Sequence, residues 1–297
     1  MYRKLQGMLW GSLVADSHAL GAHWIYDQER IRSEYGLVED LLPPGTNYHL
    51  GKVAGDFTHY GDQTMWLLDS LDKNRGWNRD RFYLEWKVKM GKYDGYHDHA
   101  SHETYDHMMA SEYPAGSLST ELAGAVRIAP LIYFYYNDPN LLDYVVEETE
   151  MTHRTGKVKE AATFLAKVVC LVLRGVMPVE AMEKELSALP EDSLIASLIT
   201  KGLHEDSLNA NDVIRTFGQT ADIAHALPAC VYLIRCFEEN YALALEANVM
   251  AGGDSAARGM FVGMVLGAHH GLEGIPEKWR QTLRAKEDIE TYIGTKK

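Results

Sequence analysis

Two aspartates stand at glycine-bearing junctions where a loop opens into a helix, and a carboxylate placed there can either cap the helix or face a ligand. One is Asp254 in Ala251-Gly-Gly-Asp-Ser-Ala-Ala-Arg-Gly259, ahead of an apolar run from Met260 to Gly271. Gly252 and Gly253 permit a tight backbone, and the carboxylate can accept from the free N–H groups of the first turn. The other is Asp62 in Gly61-Asp-Gln-Thr64, which follows a stretch at 45–60 rich in glycine and aromatic residues that reads as a loop. Brought together, the two carboxyls could hold a cation or act as a glycosidase pair. That chemistry asks for about 5–5.5 Å between them for retention or roughly 6.5–9.5 Å for inversion. Kept apart, they are ordinary caps.

Other polar groups could join them. The segment from Tyr93 to His107 gathers four histidines with acids and aromatics, among them Tyr96, His97, Asp98 and His102. His99 with Glu103, and His102 with Asp106, are i,i+4 pairs that could face a metal or a substrate, although the spacing matches no strict zinc motif. A solvated polar helix is the alternative. His153, in Met151-Thr-His-Arg154, could transfer a proton or serve as a structural hydrogen-bonding residue. Arg258 lies four residues after Asp254, so its guanidinium could pair with Asp254 or Asp62, against the alternative of an exposed helix arginine. Asp16 could point into a cleft or to solvent.

The elements that must position these groups are helices. Residues 62–71 place Met65, Leu68 and Leu71 on one face, and 161–176 is apolar almost all round, as in the central helix of a bundle. Pro178, Pro190 and Pro276 each suit the first turn of a helix. Gly259, Gly263, Gly267 and Gly271 recur every fourth residue, which leaves one face of a helix without side chains. Gly7, Gly11 and Ala15 share that spacing, so the first helix is expected to pack closely on this one. No alternating strand pattern, linker or internal repeat divides the 297 residues, and an all-α chain with a single domain over 1–297 is expected.

Composition excludes several functions. A net charge of -13 with no basic run argues against general nucleic-acid binding. The apolar run after Asp254 is about half of the roughly 20 residues a bilayer span needs, so no membrane partner is expected. Cys170, Cys230 and Cys236 have neither metal nor disulfide spacing and read as reduced thiols. Asp16 and His18 interrupt the apolar amino-terminal stretch too early for a signal peptide, and a cytoplasmic location is expected.

Four stretches, in order, resemble the ADP-ribosylglycohydrolase family, which includes dinitrogenase reductase-activating glycohydrolase and the jellyfish J1 crystallins. They are Gly7 to Gly21, Gly61 to Met65, Gly116 to Pro130 with Thr152-His153, and Gly252 to Pro276. The resemblance implies a multi-helix orthogonal bundle holding a pair of Mg²⁺ ions, and hydrolysis of the bond joining ADP-ribose to an acceptor. It makes Asp62, Asp254 and His153 the expected catalytic residues. Expected substrate contacts are Asp16, Gln63, Thr64, Tyr96, His97, Asp98, His102, Gly252, Gly253, Ser255 and Arg258. The chain departs from the family where the metal would bind: Asp62 and Asp254 match, whereas Gly61, Gln63, Ala256 and Ala257 replace Thr, Asp, Asp and Thr or Ser. A full two-ion site is therefore not expected, and at most one weak Mg²⁺ on Asp62 and Asp254 is, or none. The resulting expectation is a hydrolase of ADP-ribose or related ribosyl compounds, acting on a small molecule or an ADP-ribosylated substrate. The alternative is a non-catalytic nucleotide-like ligand binder or crystallin-like protein.

Overall fold

Backbone meets backbone where the two glycine stripes cross. In the computed structural model, which describes residues 1–294, the Tyr2–Ala19 helix packs along the Ser255–His270 helix. A Cβ added to Gly11 would stand 2.3 Å from the carbonyl oxygen of Gly263, and one on Gly263 would stand 2.3 Å from that of Gly11. Gly7 and Gly267 repeat the arrangement one turn along, at 2.3 and 2.2 Å. The pairing expected from the four-residue spacing is thus present. Helix axes this close let main-chain atoms supply the packing that side chains supply elsewhere. Tyr241 fixes the crossing from the side, its hydroxyl donating to the Gly11 carbonyl at 2.7 Å.

Around this seam pack the Gly156–Leu173, Ile223–Cys236 and Tyr241–Met250 helices, and one apolar cluster takes buried residues from Leu5 to Ile293. The described residues are all-α, with extended pairing confined to two isolated bridges, Ser117 with His153 and Glu121 with Asp222. None of their helices is long and apolar enough to cross a membrane.

Two helix starts differ from expectation. The second aspartate helix runs His59–Lys73, so Asp62 lies inside its first turn instead of at its cap. Thr58 caps it, its hydroxyl accepting from the Tyr60 N–H at 3.2 Å. Pro190 starts no helix, because Ser193 caps Leu194–Leu203 with a bond from the Ala196 N–H. Asp254 does cap, accepting from the Ala257 N–H at 3.2 Å.

Loops converge on that Asp254 end. Gly252 and Gly253 hold φ of 72° and 74°, a region that only glycine enters freely. This shape lets Gly253 donate to the Ile25 carbonyl at 2.8 Å and accept from the Trp24 N–H at 2.9 Å, while the Asp254 N–H reaches the Gln219 carbonyl. The segment 120–122 is tied to 221–223 in the same way, through Leu122 N–H to Ala221 and Ile223 N–H to Thr120.

Candidate active site

Asp254 is fully buried beneath an aromatic cover. The Tyr60 hydroxyl donates to its Oδ2 at 3.0 Å, and His23 Nδ1 stands 3.9 Å from its Oδ1. His23 is no counter-ion: its Nδ1 accepts from the Ala256 N–H at 3.4 Å, and burial pushes its pKa down to about 3. Burial likewise raises the Asp254 carboxyl, opposed by the nearby Arg258 charge and by the Ala257 and Tyr60 bonds.

Arg258 does not form the expected ion pair with either aspartate, nor is it exposed. Its Nε donates to Asn248 Oδ1 at 3.0 Å, and its Nη2 donates to the carbonyls of Asn248 at 3.3 Å and Gly252 at 2.5 Å. The carbonyls at the end of the preceding helix lack intrahelical partners and claim the guanidinium.

The cation on Asp62 is Lys52. Its ammonium and the Tyr93 hydroxyl both donate to Asp62 Oδ2. Burial raises this carboxyl, with the Lys52 charge as the main opposing cause. Tyr60 and Asp62 are two positions apart on one helix, and residues so spaced do not share a face. Asp62 accordingly lines a cavity of about 200 Å³ with Phe57, Met65 and Trp66, whereas Asp254 lies under Tyr60. The two aspartates share no hydrogen-bond partner among the described residues.

Asp16 is buried and accepts from the Thr58 N–H at 2.7 Å and the Thr58 hydroxyl at 2.5 Å. Desolvation pushes its pKa up to about 7. A Cβ on Gly61 would come within 2.4 Å of Asp16 Oδ2, so the absent threonine at 61 is sterically linked to this contact.

Gln63, Thr64 and His153 face the core. Gln63 accepts from Arg127 Nη1 at 2.8 Å and Trp86 Nε1 at 3.0 Å and donates to the Ser101 hydroxyl at 3.1 Å. Thr64 donates back to the Tyr60 carbonyl. Arg127 also donates to Thr152, whose hydroxyl bonds His153 Nδ1 at 2.9 Å, and burial with the Arg127 charge holds this imidazole well below its usual pKa.

The Tyr93 segment divides. Tyr96 packs edge-on against Trp24 and His59, with ring centroids 4.9 and 5.3 Å apart. His97 donates to the Tyr93 carbonyl at 3.0 Å and stacks on its ring, bracing the phenol that bonds Asp62. Asp98 caps the His99–Met109 helix through Ser101 and stands 3.4 Å from His59 Nε2. His102 is exposed beside Asp106. Ser255 Oγ is buried without a hydrogen-bond partner among the described residues.

The open volume near these groups is a cleft of about 590 Å³ whose walls include Trp24, Tyr26, Glu103, Leu118, Glu121 and Asp222. Glu121 is held there by the bridge to Asp222, and its Oε2 is buried with no hydrogen-bond partner among the described residues. Burial, reinforced by the Asp98 and Asp254 charges, pushes its pKa up to about 7. Trp24 lines the cleft in a left-handed conformation, φ 64°, uncommon for a bulky residue and enforced by its pairing with Gly253. The sequence motifs give no role to Glu121 or Lys52. The polar Ser119-Thr-Glu121 run at the head of an apolar segment was a local signal for Glu121; a lone lysine in a glycine-rich loop gave none for Lys52.

These residues do not fit the paired Mg²⁺ ions that the sequence resemblance implies. Such ions need several free carboxylate or hydroxyl oxygens. Here Asp62 Oδ2 carries Lys52 and Tyr93, Asp254 carries Tyr60 and Ala257, and the Gln63 oxygen carries Arg127 and Trp86. Gly61, Ala256 and Ala257 have no side-chain oxygen. Among the described residues no group of three or more His, Cys, Asp or Glu side chains is arranged to hold a metal.

Known proteins place this architecture. The chain is similar to crystallin J1A of Tripedalia cystophora, 24% identical over 94% of this chain and 92% of the relative. It is similar to ADP-ribosylhydrolase ARH3 of Mus musculus, 22% identical over 97% and 89%. A solved ADP-ribosylglycohydrolase-related protein complex shares the fold, with a TM-score of 0.79 at 19% identity over 98% of this chain and 96% of that one. The ADP-ribosylglycohydrolase family model matches residues 1–295, and the chain belongs to that family.

Proposed function

We propose that this protein hydrolyses a ribosyl glycosidic bond in the Glu121 cleft, without a divalent ion at Asp62 and Asp254. The observation that carries the reading is the Glu121 carboxyl, set in a cleft that Trp24 also lines, with its pKa pushed up to about 7. A carboxyl titrating near neutrality suits proton transfer to or from a reacting group. In this reading the expected catalytic residues act at one remove. Asp254 lies behind the cleft and raises Glu121 by its charge. Asp62, through Lys52, holds the loop before the His59–Lys73 helix. Thr152 and His153 order the chain that carries Glu121, because Ser117 donates to the Thr152 carbonyl and accepts from the Arg154 N–H.

The test is turnover of ADP-ribosylated arginine and serine peptides and of free ribosyl compounds, with excess Mg²⁺ and with a chelator. Hydrolysis that survives the chelator and is lost in Glu121→Gln supports the reading. Turnover that needs Mg²⁺, or a fully active Glu121→Gln, removes it.

A specific observation favours a second reading, a non-catalytic crystallin-like protein. Both retained aspartates are satisfied internally, by Lys52 with Tyr93 and by Tyr60, and crystallin J1A is among the relatives. No turnover of any of these compounds would favour it.

A further inference from the structure

The cleft has a consistent charge. Glu103, Glu121 and Asp222 line it, and among the described residues no lysine or arginine does. Its one basic side chain, His99, stands 3.5 Å from Glu103. Asp98 and Asp254 lie close enough behind to act on Glu121. Arg154 donates to the Gly116 carbonyl and Arg258 to Asn248 and Gly252, while Lys157 and His225, outside the lining, act by charge on Asp222 alone of the three carboxylates. A diphosphate placed here would meet like charges with no counter-cation. The walls instead offer two aromatic rings. Tyr26 is about half exposed at the rim, and Trp24 is fixed against His23 with centroids 4.3 Å apart. Aromatic faces beside carboxylates form an environment that attracts organic cations.

We propose that the Glu121 cleft takes an organic cation free of phosphate, so that the ribosyl compound hydrolysed there carries its positive charge on the departing nitrogen base. This rests on the hydrolase reading for its second half alone. The reaction balances without an acid. The oxygen of a water molecule bonds to the anomeric carbon, the carbon–nitrogen bond breaks with its electron pair going to nitrogen, and the base departs neutral. The water proton passes to the Glu121 carboxylate. Glu103 and Asp222 face the positive charge that moves onto the ribosyl ring in the transition state.

The experiment is calorimetric titration at pH 8, in chelator, with three probes. Nicotinamide riboside is a ribosyl-pyridinium cation, nicotinic acid riboside has that charge cancelled by a carboxylate, and ADP-ribose supplies a diphosphate. Nicotinamide riboside is expected to bind, with the other two about tenfold weaker or more. Glu103→Gln and Glu121→Gln should each weaken it about tenfold with melting temperatures retained, and the exposed Tyr26→Leu should weaken it about fivefold. ADP-ribose binding as tightly as the cation, no binding of the cation, or full affinity in all three variants overturns the proposal. A cation that binds with its glycosidic bond left intact overturns the hydrolase reading and leaves the cleft assignment standing. Hydrolysis of an ADP-ribosyl compound without cation binding does the reverse.

Discussion

The ammonium of Lys52 donates to Asp62, the carboxylate kept from the family motif in the His59–Lys73 helix. Two side chains separated by ten residues thereby join the loop at 50–58 to that helix, and a monovalent protein cation takes the carboxylate that the family resemblance assigns to a metal.

Lys52→Met should therefore leave a largely buried carboxylate with only Tyr93 as partner. Side-chain exposures of 16% for Lys52 and 21% for Asp62 place the pair between the surface and the deep interior. Loss of one partner is expected to cost about 2 kcal/mol, and Lys52→Met with Asp62→Asn together should cost less than the sum of the two single changes. Denaturant unfolding checks this. Mg²⁺ and chelator are expected to leave the melting temperature of the unaltered protein unchanged, and a rise of several degrees with Mg²⁺ would contradict the account of Lys52.

The glycine seam makes a sharper prediction. Gly11→Ala or Gly263→Ala puts a methyl group 2.3 Å from a backbone oxygen of the facing helix, so the helices must separate along a packed interface. A loss of about 3 kcal/mol or more is expected. Gly156→Ala, at the first position of the Gly156–Leu173 helix with nothing within 4 Å of the added carbon, is expected to be neutral or to stabilise by about 0.5 kcal/mol. Equal melting temperatures for the two kinds of variant would be inconsistent with the close approach.

What could be read from the chain follows the range of the forces involved. The Gly7–Gly11–Ala15 and Gly259–Gly263–Gly267 stripes were legible because four-residue spacing is a local property of a helix, and matching stripes have few other partners. Asp254 as a cap was legible for the same reason. The source of positive charge was not. Arg258 stands at the correct helical spacing from Asp254, but the carbonyls that claim it belong to the end of another helix and the turn after it, and Lys52 reaches Asp62 only through the course of an irregular loop. Whether Asp62 meets Asp254 is not a local property: the side of its helix that Asp62 presents depends on the start at His59, fixed by Thr58. Glu121 depends on pairing between segments about a hundred residues apart.

Asp16 should impose a measurable pH dependence on stability. Its carboxyl titrates near 3.8 in the unfolded chain and about 7 in the folded one. Between those values the folded state keeps a proton that the unfolded state has released, so stability falls as pH rises from about 4 to 7 and is level beyond. The full span corresponds to about 4 kcal/mol. Asp16→Asn removes this titration. The stability of the unaltered protein minus that of the variant is therefore expected to decline across the interval, read from denaturant unfolding at pH 4.5, 6 and 7.5, and a difference that is constant with pH would show that Asp16 is ionised throughout.

The pH profile of turnover separates the two roles open to Glu121. Burial and the Asp98 and Asp254 charges set its titration at about 7 in the free protein. If Glu121 receives the proton of the attacking water, the ionised form is active, and kcat/KM rises with pH through about 7 to a plateau. A neutral leaving group needing protonation would require the acid form, and the same profile would fall through that range. With a cationic base departing, the rising limb is expected, and Glu121→Gln should abolish the inflection while lowering kcat by about 10² to 10⁴. Asp98→Asn offers an independent check, because removing one of the charges that raise Glu121 should move the inflection to lower pH without removing it. An inflection that stays in place in Asp98→Asn and persists in Glu121→Gln would assign the titration to another group.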